Sequence, residues 1–187
     1  MGWSFQTLEH VMGSFPDHIR YSIGQCELGS LLLAGCDTGI CAILLGDDEQ
    51  PLIADLQRRF PRAELTRDDA ALGSDLQSLL RYVDNPVGPL QLQQPLTAFG
   101  SDFQQQVWSE LAKVPAGQTV SYSELAKRLG KPAAVRAVAG ACAANPLAIL
   151  VPCHRVLRSD GGISGYRWGV ERKQQLIELE RQLASAG

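Results

Sequence analysis

No apolar run in this 187-residue chain reaches the roughly 18 residues that a membrane-spanning helix needs. The stretch 31–45 comes nearest and is broken by Gly35, Asp37 and Gly39. The N-terminal residues lack the uninterrupted apolar core of a secretory signal, carrying Glu9, His10, Asp17 and His18 instead. Five cysteines (Cys26, Cys36, Cys41, Cys142 and Cys153) include no CxxC pair. Their odd number and irregular spacing argue against a disulfide framework and against a thiolate zinc site. A reducing compartment, the cytoplasm, is expected, with no membrane association. Internal repeats and low-complexity segments are also missing. What is there, 45% hydrophobic and 20% charged residues, is the make-up of an ordinary globular chain of one medium or two small domains.

Positive charge is scarce in one half. Residues 1–99 carry six Arg against thirteen Asp/Glu, net −7, whereas residues 100–187 carry eleven Lys/Arg against seven Asp/Glu, net +4. Any contact with phosphates is therefore expected from the second half.

The first half reads as mixed α/β. Residues 20–28, 31–36 and 40–46 are β-rich runs, the last two joined by the hairpin signal Asp37-Thr38-Gly39. Residues 52–60 and 72–83 have helical spacing, each closed by a proline, Pro61 and Pro86. The Pro/Gly-rich stretch 85–89 and then 90–98 read as a connection, giving expected domains 1–96 and 97–187. In the second half Ser101 and Asp102 can cap a helix over 103–114, with Phe103, Val107 and Leu111 stacked on one face. Helices over 123–129 and 133–144, joined by a tight turn at Gly130-Lys131-Pro132, form a helix-turn-helix candidate. A last helix covers 170–183.

The helix over 133–144 lacks the long polar side chains that read bases in the major groove, Arg136 being its only charge. Such a bare helix can enter a minor groove without sequence readout, or it can be a buried helix packed closely on the core. Residues 148–154 read as a buried strand-like run that breaks at Pro152 and leaves Cys153 just beyond it. The alternatives for Cys153 are an inert buried thiol or a nucleophile held firmly at a strand end. A nucleophile needs a base, because a free thiol is only a few per cent ionised at neutral pH. His154 is adjacent in sequence, so a bridging water is the plausible proton path between diverging side chains. Glu180 shares a helical stripe with Val170, Lys173, Ile177 and Ala184, where it is either an inward acid that orients the histidine or a solvated glutamate.

Val151-Pro152-Cys153-His154-Arg155-Val156 resembles the active-site signature of the O6-alkylguanine-DNA alkyltransferases, also called methylated-DNA–protein-cysteine methyltransferases. The similarity spans at least residues 97–180. The segment Ser164-Gly165-Tyr166-Arg167-Trp168-Gly169 and the region 26–48 resemble the adaptive-response members of that family in particular. The resemblance implies an α/β N-terminal domain, with a small antiparallel ribonuclease H-like sheet and helices. It implies a mostly α C-terminal domain with a winged-helix-like helix-turn-helix. It further implies stoichiometric, irreversible transfer of an alkyl group from O6-alkylguanine in DNA, and from O4-alkylthymine, to a cysteine after base flipping. No cofactor and no metal are implied. The partner is double-stranded DNA containing alkylated guanine, bound through the minor groove with weak sequence preference by a monomer.

Carried over residue by residue, the resemblance makes Cys153 the alkyl acceptor, His154 the base working through water, and Glu180 the acid that orients it. Asn145 braces the turn beside the cysteine, and Tyr122 donates to the departing guanine ring. Arg136 fills the gap left by the flipped base, with Ala137, Gly140 and Ala141 on the same DNA-facing helix. Val156, Ser164, Tyr166, Arg167 and Trp168 line the base pocket; Trp168 stands where some relatives have a smaller residue and is expected to narrow the pocket against bulky adducts. The chain departs from the full adaptive-response pattern in lacking its cysteine-rich zinc segment and separate regulatory domain, so a stand-alone repair protein or an excised domain is expected. Cys26, Cys36, His10 and His18 form no convincing zinc ligand set.

Three other classes fit less well. A cysteine hydrolase brings its base from a distant segment and needs an oxyanion hole. A sequence-reading DNA regulator conflicts with the bare helix. A cofactor-dependent methyltransferase fails because Gly161-Gly162-Ile163-Ser164-Gly165 lacks the strand–GxGxxG–helix setting.

Overall fold

The computed structural model describes residues 15–86 and 90–186. His10 and residues 87–89 of the expected connection lie outside the described residues. The chain divides into two units, the first ending at Phe99 and the second beginning at Gly100.

The first unit is built on strands β1 (His18–Cys26), β2 (Gly29–Cys36), β3 (Gly39–Gly46) and β4 (Glu64–Arg67), in the order β3-β2-β1-β4. β1–β2 and β2–β3 are antiparallel, the second pair as expected from the hairpin turn Asp37-Thr38-Gly39. The sheet is antiparallel as expected except at one edge, where β4 joins β1 in parallel. Strand β4 follows helix α1 (Glu49–Arg59), and a helical crossover lets a strand return in the same direction. Its residues, mostly exposed, carry no apolar alternation that sequence alone could register. Every residue of β2 after Gly29 and of β3 before Gly46 is buried, with α1 packed against β2 and β3 and α2 (Asp69–Asp84) against β1 and β2. Asp68 caps α2 through the Ala71 amide. After Pro95, Leu96 bridges to Ile40 in parallel, and the Thr97 hydroxyl donates to the Thr38 carbonyl at 2.7 Å, so 97–99 stay with this unit.

In the second unit Ser101 caps α3 (Asp102–Leu111) in a reciprocal capping box with Gln104, while Asp102 is the first helical residue. Helices α4 (Tyr122–Arg128) and α5 (Val135–Ala143) are separated by a turn at Gly130, whose φ of 68° suits a residue without a side chain. Helices α3, α4 and α5 pack on one another, and the Trp108 indole N–H donates to the Ala141 carbonyl at 2.8 Å. A two-residue parallel ladder, β5 (Val120–Ser121) with β6 (Val156–Leu157), ties the entry of α4 to the segment after Cys153. The unit closes with α6 (Val170–Ala186). No helix among the described residues is long and apolar enough to cross a membrane.

Candidate active site

Residues 147–151 are all buried, yet they do not form the strand-like run expected from their apolar sequence. They close on themselves instead: the Val151 amide donates to the Leu147 carbonyl, the Cys153 amide to Val151, and Cys153–Arg155 forms a single 3-10 turn. A short apolar run looks the same in sequence whether a sheet or a local turn satisfies its backbone, so periodicity could not separate the two. Ile149 is held at φ 71°, a conformation costly for a β-branched residue. Such strain, of order 1–3 kcal/mol, persists only where the surroundings impose it.

Asn145, fully buried, imposes much of it. Its Nδ2 donates to the Val151 carbonyl at 2.8 Å and lies 3.1 Å from Cys153 Sγ, while its Oδ1 accepts the Leu147 amide at 2.9 Å. One side chain thus closes the loop and supplies a donor to the sulfur. Cys153 itself is 5% exposed, buried but not sealed.

Behind the cysteine, His154 is fully buried and its Nε2 lies 2.8 Å from Glu180 Oε1. Glu180 also receives Arg155, through Nε at 2.9 Å to Oε2 and Nη2 at 2.8 Å to Oε1, and the Gly117 amide at 3.2 Å. Arg155 donates its remaining Nη1 to the Val114 carbonyl. Gly117 is required here: at φ 79°, a Cβ would stand 2.7 Å from that of Ala184 on α6. Burial alone would raise the Glu180 pKa, but the hydrogen bonds from His154 and Arg155 outweigh it and hold the carboxyl at about 2. Burial lowers the His154 pKa, an effect that Arg155 and Lys173 reinforce and Glu180 opposes. An ionised carboxylate only accepts, so the neutral imidazole carries its proton on Nε2. Nδ1 is then the basic nitrogen, and it has no hydrogen-bond partner among the described residues.

A second chain of contacts runs from α6 to α4. Lys173, fully buried, donates to the Val156 carbonyl at 2.7 Å and reaches Ser164 Oγ at 3.4 Å; Ser164 Oγ lies 2.7 Å from the Tyr122 hydroxyl. Burial raises the Tyr122 pKa against the lowering effect of Ser164, with the sulfurs of Cys142 and Cys153 raising it further, so the phenol stays protonated at neutral pH. Tyr166 and Trp168 stack edge to face at 5.3 Å. The Tyr166 hydroxyl and Trp168 indole N–H are buried with no partner among the described residues.

The structure brings together Tyr122, Asn145, Cys153, His154, Ser164 and Glu180, and adds Arg155 and Lys173, which sequence reasoning left without a role. A lysine and a glutamate on one apolar stripe were the available signal. That stripe itself is shorter than expected: Lys173, Ile177 and Glu180 are buried, but Val170 and Ala184 at its ends are exposed. On α5, Arg136, Ala137 and Gly140 are exposed. Ala141, expected to face DNA, is 2% exposed and faces the core, because the turn of α5 that carries it packs on Trp108. Val156, expected to line a pocket, is fully buried in the β5–β6 ladder, and its carbonyl accepts from Lys173. Arg167 is exposed and its Nη1 donates to the Ala143 carbonyl at 3.3 Å. Among the described residues no group of three or more His, Cys, Asp or Glu could hold a metal ion.

Residues 102–182 match the 6-O-methylguanine DNA methyltransferase DNA-binding domain, and residues 19–97 match the ribonuclease-like domain of the same proteins. A Mycobacterium bovis protein named methylated-DNA–protein-cysteine methyltransferase is 41% identical over 169 residues, 90% of this chain and 96% of that one. The chain belongs to the 6-O-methylguanine DNA methyltransferase family. A second family member, the Escherichia coli bifunctional transcriptional activator/DNA repair enzyme Ada, is 51% identical over 164 residues. The match covers 88% of this chain but 46% of Ada, so the chain spans about half the length of that relative. Among solved structures, the Mycobacterium tuberculosis protein OGT in complex with DNA superposes with a TM-score of 0.70 at 34% identity, covering 88% of this chain and 93% of that one. Every residue of the site falls within the stretch matched by the family's DNA-binding domain, and none within its ribonuclease-like domain.

Proposed function

We propose that the chain repairs DNA by moving an alkyl group from O6-alkylguanine, and from O4-alkylthymine, onto Cys153, one lesion per molecule. The observation that carries this reading is the thiol of Cys153 held by Asn145 next to a buried imidazole whose Nε2 is locked to Glu180. Free and basic, Nδ1 takes the thiol proton by way of solvent, as a general base should. The Cys153 sulfur attacks the alkyl carbon; the carbon–oxygen bond breaks, and its electron pair goes to the guanine, where the Tyr122 hydroxyl donates to the ring. The new thioether is inert to water under mild conditions, so the acceptor is not regenerated. The reaction consumes no cofactor.

A reacting base inside a duplex is out of reach of a buried sulfur, so the nucleotide must be turned out of the stack. The exposed face of α5 suits that task. Ala137 and Gly140 let the helix backbone approach a minor groove, and Arg136 is the long side chain that fills the gap. Double-stranded DNA as the partner is supported by the methylated-DNA and DNA-complex relatives; a monomer acting in the cytoplasm completes the reading. Ada's transcriptional activation is not carried over to a chain that spans less than half of it.

The test is intact-mass measurement after incubation with duplex DNA containing O6-methylguanine. A gain of one CH2 per molecule, mapped to Cys153, is expected. Repeated turnover, or a label on another cysteine, would overturn the proposal.

A further inference from the structure

One buried charge has no part in the proposed alkyl transfer. Lys173 on α6 is fully buried and donates to the Val156 carbonyl at 2.7 Å. It also reaches both oxygens of Ser164, the hydroxyl at 3.4 Å and the carbonyl at 3.5 Å. Ser164 is half-buried in the loop before Tyr166, and its Oγ lies 2.7 Å from the Tyr122 hydroxyl. The backbone on both sides of that contact is fixed by other means. Ser121 pairs with Leu157 in the β5–β6 ladder and caps α4 through the Glu124 amide, so Tyr122 enters its helix from a pinned position. The Val156 carbonyl that Lys173 holds belongs to the same ladder, where Val156 pairs with Val120. One ammonium group thus ties the Ser164 loop to the ladder, beside the phenol.

We infer that Ser164 is a positioning residue for the transfer: oriented by Lys173, it turns the Tyr122 hydroxyl proton toward the departing base. The inference rests on the reading of Tyr122 as the donor to that base. Each of the two hydroxyls carries one proton, and either can donate across the 2.7 Å contact. If Tyr122 donated to Ser164, its proton would be used there, and the phenol would face the base with lone pairs only. The ammonium group decides between the two arrangements, because it donates and cannot accept. Lys173 fills an acceptor position on Ser164 Oγ, and its positive charge repels the serine proton. That proton is therefore directed to the Tyr122 oxygen, and the Tyr122 proton is left for the base. A phenol oxygen that accepts a hydrogen bond is also a stronger donor through its own proton. When the carbon–oxygen bond breaks and electron density builds on the guanine, a donor already aimed at the ring needs no reorganisation.

The test measures single-turnover transfer from a duplex containing O6-methylguanine, read as methyl gained at Cys153, in the full-length parent, Ser164→Ala, Tyr122→Phe and the double variant. Ser164→Ala is expected to slow transfer about fivefold to tenfold, the worth of roughly one hydrogen bond. In the Tyr122→Phe background the same change should alter the rate less than about twofold, because no phenol proton is left to direct. Ser164→Thr keeps the hydroxyl and should stay within about twofold of the parent. Lys173→Met gives a second background, which also serves should Tyr122→Phe not fold: with no ammonium to orient the serine, Ser164→Ala should again matter less than about twofold. Given a parent that methylates Cys153, three results would each overturn the inference: an unchanged Ser164→Ala rate, an undiminished loss in either background, or a Ser164→Thr chain as slow as Ser164→Ala. A parent that gains no methyl at Cys153 would instead overturn the reading of function, and this inference with it.

Discussion

Arg155 and Glu180 meet as a fork: Nε and Nη2 of the guanidinium lie 2.9 and 2.8 Å from the two carboxylate oxygens, and Oε1 is shared with His154 Nε2. A buried carboxylate serving the imidazole alone would be expensive. The arginine supplies the balancing charge, and the Gly117 amide fills a further acceptor position. Glu180→Gln removes that charge while keeping the shape. We expect about 10²–10⁴-fold slower alkyl transfer, the range typical of a lost general base, with DNA binding retained. Single-turnover rates on a methylated duplex check it; an unchanged rate would remove Glu180 from the proposed mechanism.

The same cluster sets an acid limit on stability. Glu180 has a folded pKa of about 2, below its unfolded value of roughly 4.3. Between those values the unfolded chain binds more protons, so the stability contributed by Glu180 is fully present above about pH 4.3 and is lost as pH falls towards 2. His154 is also depressed, its burial favouring the neutral ring, so its contribution begins to fall below its unfolded pKa of roughly 6.5. Thermal melts between pH 7 and 3 should show decreasing stability, and Glu180→Gln should flatten the lower part of that curve. A wild-type curve flat down to pH 3 would contradict the assignment.

Arg136 stands exposed at the start of α5, away from the buried cluster. Arg136→Ala should therefore leave folding, and reaction with the free modified base, within about 0.5 kcal/mol and twofold of the parent. On duplex DNA it should slow transfer by tenfold or more. Equal loss on both substrates would mean that Arg136 acts on the chemistry and not on base extrusion.

Trp168 is 5% exposed and stacked on Tyr166. Trp168→Gly should cost about 3–5 kcal/mol, as large truncations in a core do. It should also raise reactivity with benzylguanine above that of the parent. Melting curves and benzyl-transfer rates report the two effects separately. Unchanged benzyl reactivity in a folded variant would show that Trp168 does not shape the pocket.

Much of this protein is readable in one dimension. The hairpin announced by Asp37-Thr38-Gly39, the capping serine at 101, the glycine-ended α4 and the bare α5 follow from local preferences that neighbours only reinforce. The roles of Cys153, His154 and Glu180 came through the resemblance of the local signature to a known family, because the helical stripe by itself left Glu180 either inward or solvated. Other features depend on which distant groups satisfy a buried atom, and no local pattern encodes that. The apolar run before Cys153 turns back on itself because Asn145 takes up its backbone. Strand β4 lies parallel to β1 because a helix brings it round, and Ala141 faces Trp108 instead of DNA. Arg155 and Lys173 are buried because Glu180, Val114, Val156 and Ser164 wait for them, a set of partners that exists only once the chain has folded.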